Sequence, residues 1–167
     1  MKFYKLIAVI SICLLAVTSA YAQEQSTPAE AKKLVEQAVA YVKANGEEKA
    51  LKEFNKPRGM FFKEEEYLFG YDLKEVLKDD SYIFAYDSKG VMMANPMVPQ
   101  LVGKNLYNEP DSKGKLFRKE IVDLVNSRGS GWVDYTYMNP VTKQEEFKIT
   151  YCQKVGNLIV CCGAYLP

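Results

Sequence analysis

Residues 81–108, SYIFAYDSKGVMMANPMVPQLVGKNLYN, constrain this chain more than any other stretch. Tyr82, Ile83, Phe84, Ala85 and Tyr86 lead into the polar turn Asp87-Ser88-Lys89-Gly90; Val91, Met92, Met93 and Ala94 lead out of it, until Asn95-Pro96 stops the run. Glycine accepts a positive φ and aspartate bonds its own backbone, so this turn between two apolar runs reads as a hairpin. We take it as the central hairpin of an antiparallel sheet.

The chain begins with a segment expected to be absent from the mature protein. Lys2 and Lys5 give a positive start, residues 6–17 are an apolar run too short to span a bilayer, and Ala20-Tyr21-Ala22 is a small-x-small cleavage pattern before Gln23. Residues 1–22 are therefore predicted to be a signal peptide cleaved after Ala22, which places the protein in the periplasm or outside the cell. Residues 23–167 form one domain of 145 residues, long enough to bury a core of its own. Cleavage removes two of the 22 basic residues and no acid, leaving 20 basic side chains against 21 acidic ones. Nothing in that balance points to nucleic acid or to an anionic membrane surface.

Beyond residue 26 the pattern is mixed. Thr27-Pro28-Ala29-Glu30 is a capping box with proline at the first helical position, and Ala31, Leu34, Val35, Ala38, Tyr41 and Val42 recur at helical spacing up to Asn45-Gly46. A shorter helix is predicted over residues 47–55, with Ala50, Leu51 and Phe54 on its apolar side. Residues 67–72 echo residues 82–87, residues 73–79 hold one helical turn or two, and the acids at 64–66 read as a solvated face. After the hairpin, Leu116, Phe117, Glu120, Ile121, Leu124 and Val125 mark a third helix. Strands follow over residues 131–137, 146–154 and 158–165, separated by Asn139-Pro140 and Gly156-Asn157. Helices followed by an antiparallel meander make an α+β domain.

The chain holds no histidine, so the commonest general base and metal ligand is missing, and it has no glycine-rich phosphate loop. No enzyme activity, cofactor or metal site is expected. Three cysteines follow the signal peptide: Cys152, Cys161 and Cys162. A two-residue loop at Gly156-Asn157 sets Cys152 against Cys161 in a non-hydrogen-bonded pair, where a cross-strand disulfide can form; a loop one residue longer sets Cys152 against Cys162 instead. We adopt the first pairing, which leaves one thiol over.

Several motifs in this order resemble a known family. Tyr82-x-Phe84-x-Tyr86-Asp87-x-x-Gly90, Asn95-Pro96, residues 101–105 (LVGKN), Asp111-x-x-Gly114-Lys115, residues 131–135 (GWVDY), Asn139-Pro140, Lys148-x-x-Tyr151 and Gly163-x-Tyr165 are similar to the single Cache domain, an extracytoplasmic PAS-like sensor module of chemoreceptors and histidine kinases. The resemblance covers about residues 29–166. It implies a PAS-like antiparallel sheet of about five to six strands, a long N-terminal helix packed on it, and a pocket between the sheet and the helix and loops covering it. It also implies a small carboxylate ligand of the acetate, propionate or pyruvate class, on which no chemistry is done. Asn95 stands where the family usually has histidine. No signalling helix follows residue 165, so the expectation is a stand-alone secreted binding protein or an accessory subunit.

Carried onto this sequence, the expected ligand-binding residues are Phe84, Tyr86, Asn95, Tyr135, Tyr137 and Lys148. Lys148 lies among apolar and aromatic strand residues, where an ammonium gains from a ligand carboxylate; pairing with Asp134 or Glu146, or snorkelling to the sheet edge, is its other reading. Tyr86, Tyr135 and Tyr137 bring hydroxyls on rigid rings, or are plain core. Asn95 suits a pocket rim or caps its own turn. Arg118 is an alternative carboxylate fork. The expected partners are a small organic acid and a membrane receptor, kinase or transporter. The competing function is a structural or partner-binding periplasmic subunit of a two-component or chemotaxis system.

Overall fold

The computed structural model describes residues 26–57, 59–61, 81–140 and 142–166. The predicted signal peptide lies outside the described residues, as do the acids at 64–66, the 67–72 echo and the turn at 73–79. Helix α1 spans Pro28–Asn45, α2 Glu47–Phe54 and α3 Phe117–Arg128; the strands are β1 Phe84–Asp87, β2 Met92–Ala94, β3 Ser130–Met138, β4 Glu145–Val155 and β5 Leu158–Leu166. These bounds lie within about two residues of the predicted ones.

The capping box opens α1. Thr27 Oγ1 accepts from the Glu30 N–H at 3.3 Å, and Glu30 Oε2 accepts from the Thr27 N–H at 2.8 Å, so two donors that a helix start would leave orphaned are satisfied. Gly46, at φ +82°, ends α1 and turns the chain directly into α2.

The five strands form one antiparallel sheet in the order β2-β1-β5-β4-β3. The last strand lies in the middle, paired with β1 on one side and β4 on the other, so the hairpin predicted first and the closing meander are joined by β5. Because side chains alternate across a sheet, the register assigns every strand residue to a face. Phe84, Cys161, Cys152 and Gly131 share one face, as do Tyr165, Lys148 and Tyr135; Ala85, Val160, Cys162 and Tyr151 share the other.

Two apolar clusters follow from that split. On one face Leu34, Val35, Ala38, Val39 and Val42 of α1 pack with Phe54 of α2 against Tyr151, Val155, Leu158, Val160 and Ala164. On the opposite face Phe117, Ile121, Val122 and Val125 of α3 pack against Phe84, Tyr86, Val133, Tyr135 and Ile159. The fold is thus three-layered, with the sheet between α1–α2 and α3. Each fully buried Leu, Val or Phe contributes on the order of 1.5–3 kcal/mol, which is why the helical stripe read in the sequence selects its face.

Candidate functional site

The candidate site lies on the α3 face. The resemblance implied a pocket between the sheet and the long N-terminal helix; the cavity lies instead under α3 and the segment before it, because α1 buries its apolar stripe on the reverse of the sheet. The cavity is lined by Tyr82, Phe84 and Tyr86 from the first strand and the residues before it, Met92 and Asn95 from the second, Phe117 and Arg118 from α3, and Tyr135 and Tyr137 from β3. Its volume is about 10 Å³, room for about one water molecule.

Five of the six sequence-derived residues, Phe84, Tyr86, Asn95, Tyr135 and Tyr137, line this cavity. Lys148 does not line it. Its side chain is 1% exposed, and its Nζ lies over four rings, at 4.3 Å from the centroid of Tyr165, 4.8 Å from Tyr82, 5.8 Å from Tyr137 and 6.0 Å from Phe84. Three of those rings, Tyr82, Phe84 and Tyr137, are also cavity walls, so the ammonium stands directly behind the lining. Snorkelling to the sheet edge is excluded by that burial. Of its two suggested acid partners, Asp134 is paired with Lys115 at 3.2 Å, and Glu146 accepts from Asn139 Nδ2 at 2.7 Å and from Thr142 Oγ1.

Asn95 does cap its own turn. Its Oδ1 accepts from the N–H groups of Met97 at 3.1 Å and Val98 at 2.9 Å. The two readings of this residue hold together: it caps the turn and it lines the cavity.

Phe117 stacks on Tyr135 with centroids 3.8 Å apart and planes 13° apart, which seats the start of α3 on β3. Arg118 is then carried inward. It is 8% exposed, its guanidinium carbon lies 4.2 Å from the Phe117 ring centroid, and Nη1 donates to the Glu109 carbonyl at 3.1 Å. Its Nε is buried with no hydrogen-bond partner, and among the described residues no carboxylate pairs with it. The start of α3 lacks a side-chain cap, and its second residue, Arg118, is among the cavity walls.

Burial favours the protonated form of three of the four lining phenols. Burial pushes Tyr86 up to about 12 although Arg118 pulls the other way, and burial raises Tyr82 and Tyr135 well above the ordinary value. The Tyr135 hydroxyl is held 2.9 Å from Thr150 Oγ1. The lining therefore offers cationic and neutral hydrogen-bond donors, with no carboxylate among the nine side chains.

Sequence reasoning missed Tyr82, Met92 and Phe117, and gave Arg118 second place. Tyr82 was legible, since it shares strand parity with Phe84 and Tyr86. Phe117 was not, and Arg118 was named only as an alternative fork, because its inward position goes with the stack of Phe117 on Tyr135.

Cys152 and Cys161 are joined by a disulfide, with Cα atoms 4.2 Å apart, as the non-hydrogen-bonded pair beyond a two-residue loop. Both lie in the α3-side cluster, beside Phe84, whereas Cys162 is buried on the α1 side, outside the disulfide. Among the described residues no group of histidine, cysteine or acidic side chains could hold a metal, and no helix is long and apolar enough to cross a membrane.

The family model described as Single Cache domain 2 matches residues 2–166. Three solved structures share the fold. A periplasmic sensor domain of a chemotaxis protein is 26% identical with a TM-score of 0.57, the match covering 83% of this chain and 90% of that one. A methyl-accepting chemotaxis protein from Vibrio parahaemolyticus is 21% identical with a TM-score of 0.62, covering 82% and 86%. A Cache chemosensory domain, described in terms of carboxylic acid recognition, is 23% identical with a TM-score of 0.61, covering 83% and 92%. No curated protein matches the chain.

Proposed function

The chain belongs to the single Cache domain family, and on that premise we propose that residues 23–167 are an extracytoplasmic sensor module, released from the signal peptide 1–22, that binds a small carboxylate without transforming it. The observation that carries this reading is Arg118: a buried guanidinium, with an unused Nε–H and no carboxylate partner among the described residues, faces a cavity walled by neutral tyrosines. A buried charge is costly until a counter-charge meets it, so an anion is the complementary ligand. The Lys148 ammonium behind the Tyr82 and Tyr137 rings adds positive potential from the far wall. A carboxylic acid is also what one Cache relative of the same fold is described as recognising.

The family resemblance narrows the class to the acetate, propionate or pyruvate range. The cavity has room for about one water molecule, so such a ligand enters only if its cover gives way, and the candidate cover is the segment from Asn95 to Tyr107. There Met97, Leu101 and Tyr107 pack against the α3-side cluster without being fully buried. Binding without catalysis is what the family resemblance implies, and it is compatible with a lining of tyrosines, phenylalanines, Met92, Asn95 and Arg118.

A thermal-shift screen of residues 23–167 against two- to four-carbon carboxylates, with amines and sugars of similar size as controls, tests the reading. Stabilisation by one or more carboxylates and by none of the controls is expected; a screen in which only the controls act, or nothing does, contradicts it.

A further inference from the structure

Strand β2 is an edge of the sheet: Gly103 and Lys104 engage Met92 there through backbone bonds, and the next groups along the edge are engaged by a side chain. Asn55, immediately after α2, donates from Nδ2 to the Met93 carbonyl at 3.1 Å and accepts at Oδ1 from the Asn95 N–H at 3.1 Å. Those groups, two residues apart on one edge, are the acceptor and donor that a neighbouring strand would engage. The Asn55 amide thus stands in for one peptide unit of a sixth strand. The same Nδ2 also lies 3.0 Å from the Leu51 carbonyl, which ties the amide back to the last turn of α2.

What Asn55 grips is the rim of the cavity. Asn95 donates its backbone N–H to Asn55 Oδ1, accepts at its side-chain oxygen from the Met97 and Val98 N–H groups, and is one of the cavity walls. At its other end α2 is fixed as well: Glu47 Oε1 accepts from the Asn157 N–H at 2.8 Å, and a side chain at Gly156 would collide with that carboxylate. Helix α2 is therefore a strut, seated on the β4–β5 turn at one end and on the cavity rim at the other.

We propose that Asn55 is a positioning residue for the candidate ligand site, holding Asn95 and the Met97–Val98 turn in place from the α1–α2 side of the sheet. Through this contact the rim on one face and the helical layer on the other move together, around the β2 edge. The ligand part of the inference rests on the function proposed above; the rim part does not.

The test compares ligand-free wild type with Asn55→Ala, Asn55→Asp and Lys52→Ala by residue-resolved amide exchange. Lys52 is an exposed residue of the same helix and serves as the control. In Asn55→Ala the Met97 and Val98 amides should exchange about tenfold faster while β4 amides change less than about twofold, a local loss of the size one hydrogen bond supplies. Asn55→Asp keeps the acceptor for the Asn95 N–H and should show a smaller acceleration; Lys52→Ala should show none. Unchanged Met97 and Val98 exchange in Asn55→Ala, or an equal acceleration of every strand, overturns the proposal. Propionate titrations of the same variants add the second readout. If wild type binds, Asn55→Ala should bind about fivefold more weakly, and unchanged affinity overturns the ligand part. If wild type does not bind propionate, that counts against the ligand part, while the exchange rates still decide the rim part.

Discussion

The side chain of Lys148 lies across Gly163. A β-carbon built on Gly163 would run into Lys148 Cε and Thr150 Oγ1, so the missing side chain on β5 is what lets the lysine stem cross from β4 and set its ammonium over Tyr165 and Tyr82.

Gly163→Ala should therefore destabilise the domain by about 1–3 kcal/mol through overpacking. Much of that loss should disappear in a Lys148→Ala background, because the lysine stem is one of the two groups displaced. Urea unfolding of both single variants and the double variant measures it. Additive losses would mean that residue 163 does not hold the lysine where it lies.

The disulfide closes a short loop, Cys152 to Cys161, on the cavity side of the sheet. Replacing both cysteines by serine should cost about 3 kcal/mol, the chain-entropy value for a loop of about ten residues. Cys162 lies on the opposite face and is buried. In residues 23–167 a thiol reagent should accordingly find no reactive group in the native protein and one after denaturation without reductant.

These two contacts mark how far the sequence could be read. Strand parity and the two-residue turn were enough to set Cys152 against Cys161 and to put Phe84 and Tyr86 on one face, because both follow from backbone geometry alone. The capping box placed the start of α1, because its two side chains reach only backbone groups within three residues. The destination of Lys148 was out of reach, since it depends on which neighbour lacks a side chain. Arg118 was legible only as an alternative carboxylate fork, since its burial goes with the stack of Phe117 on Tyr135, which helical periodicity does not show. Asn55 carried no signal, being one amide at the end of a short helix.

Acid should loosen the strap before α3. Burial works to raise the Asp111 carboxyl, but the N–H groups of Thr136, Lys115 and Lys113 outweigh it and hold the carboxyl below the ordinary range. A depressed folded pKa contributes stability that is present above the unfolded value, about 4, and is lost as pH falls through the folded value. The Asp111 bond to the Thr136 N–H at 3.0 Å should thus weaken below about pH 4, seen as the loss of exchange protection at Thr136 and Lys115. In Asp111→Asn that step should vanish; its persistence would assign it to another group.

Lys148→Met separates charge from packing. Methionine retains most of the stem, so the fold should survive with a change of about 1 kcal/mol or less, while carboxylate affinity should fall about three- to tenfold through loss of positive potential. Equal affinity would confine Lys148 to the aromatic packing.

The account stands on Arg118 as the anchor of a carboxylate. Calorimetric titration of acetate, propionate and pyruvate into wild type and into Arg118→Gln tests it most directly. Wild type should bind at least one of them, and Arg118→Gln, correctly folded by circular dichroism, should bind the same compound about 10- to 100-fold more weakly, the loss expected for a buried charge-assisted hydrogen bond. Undiminished binding by Arg118→Gln, or no binding of any of the three by wild type, would contradict it.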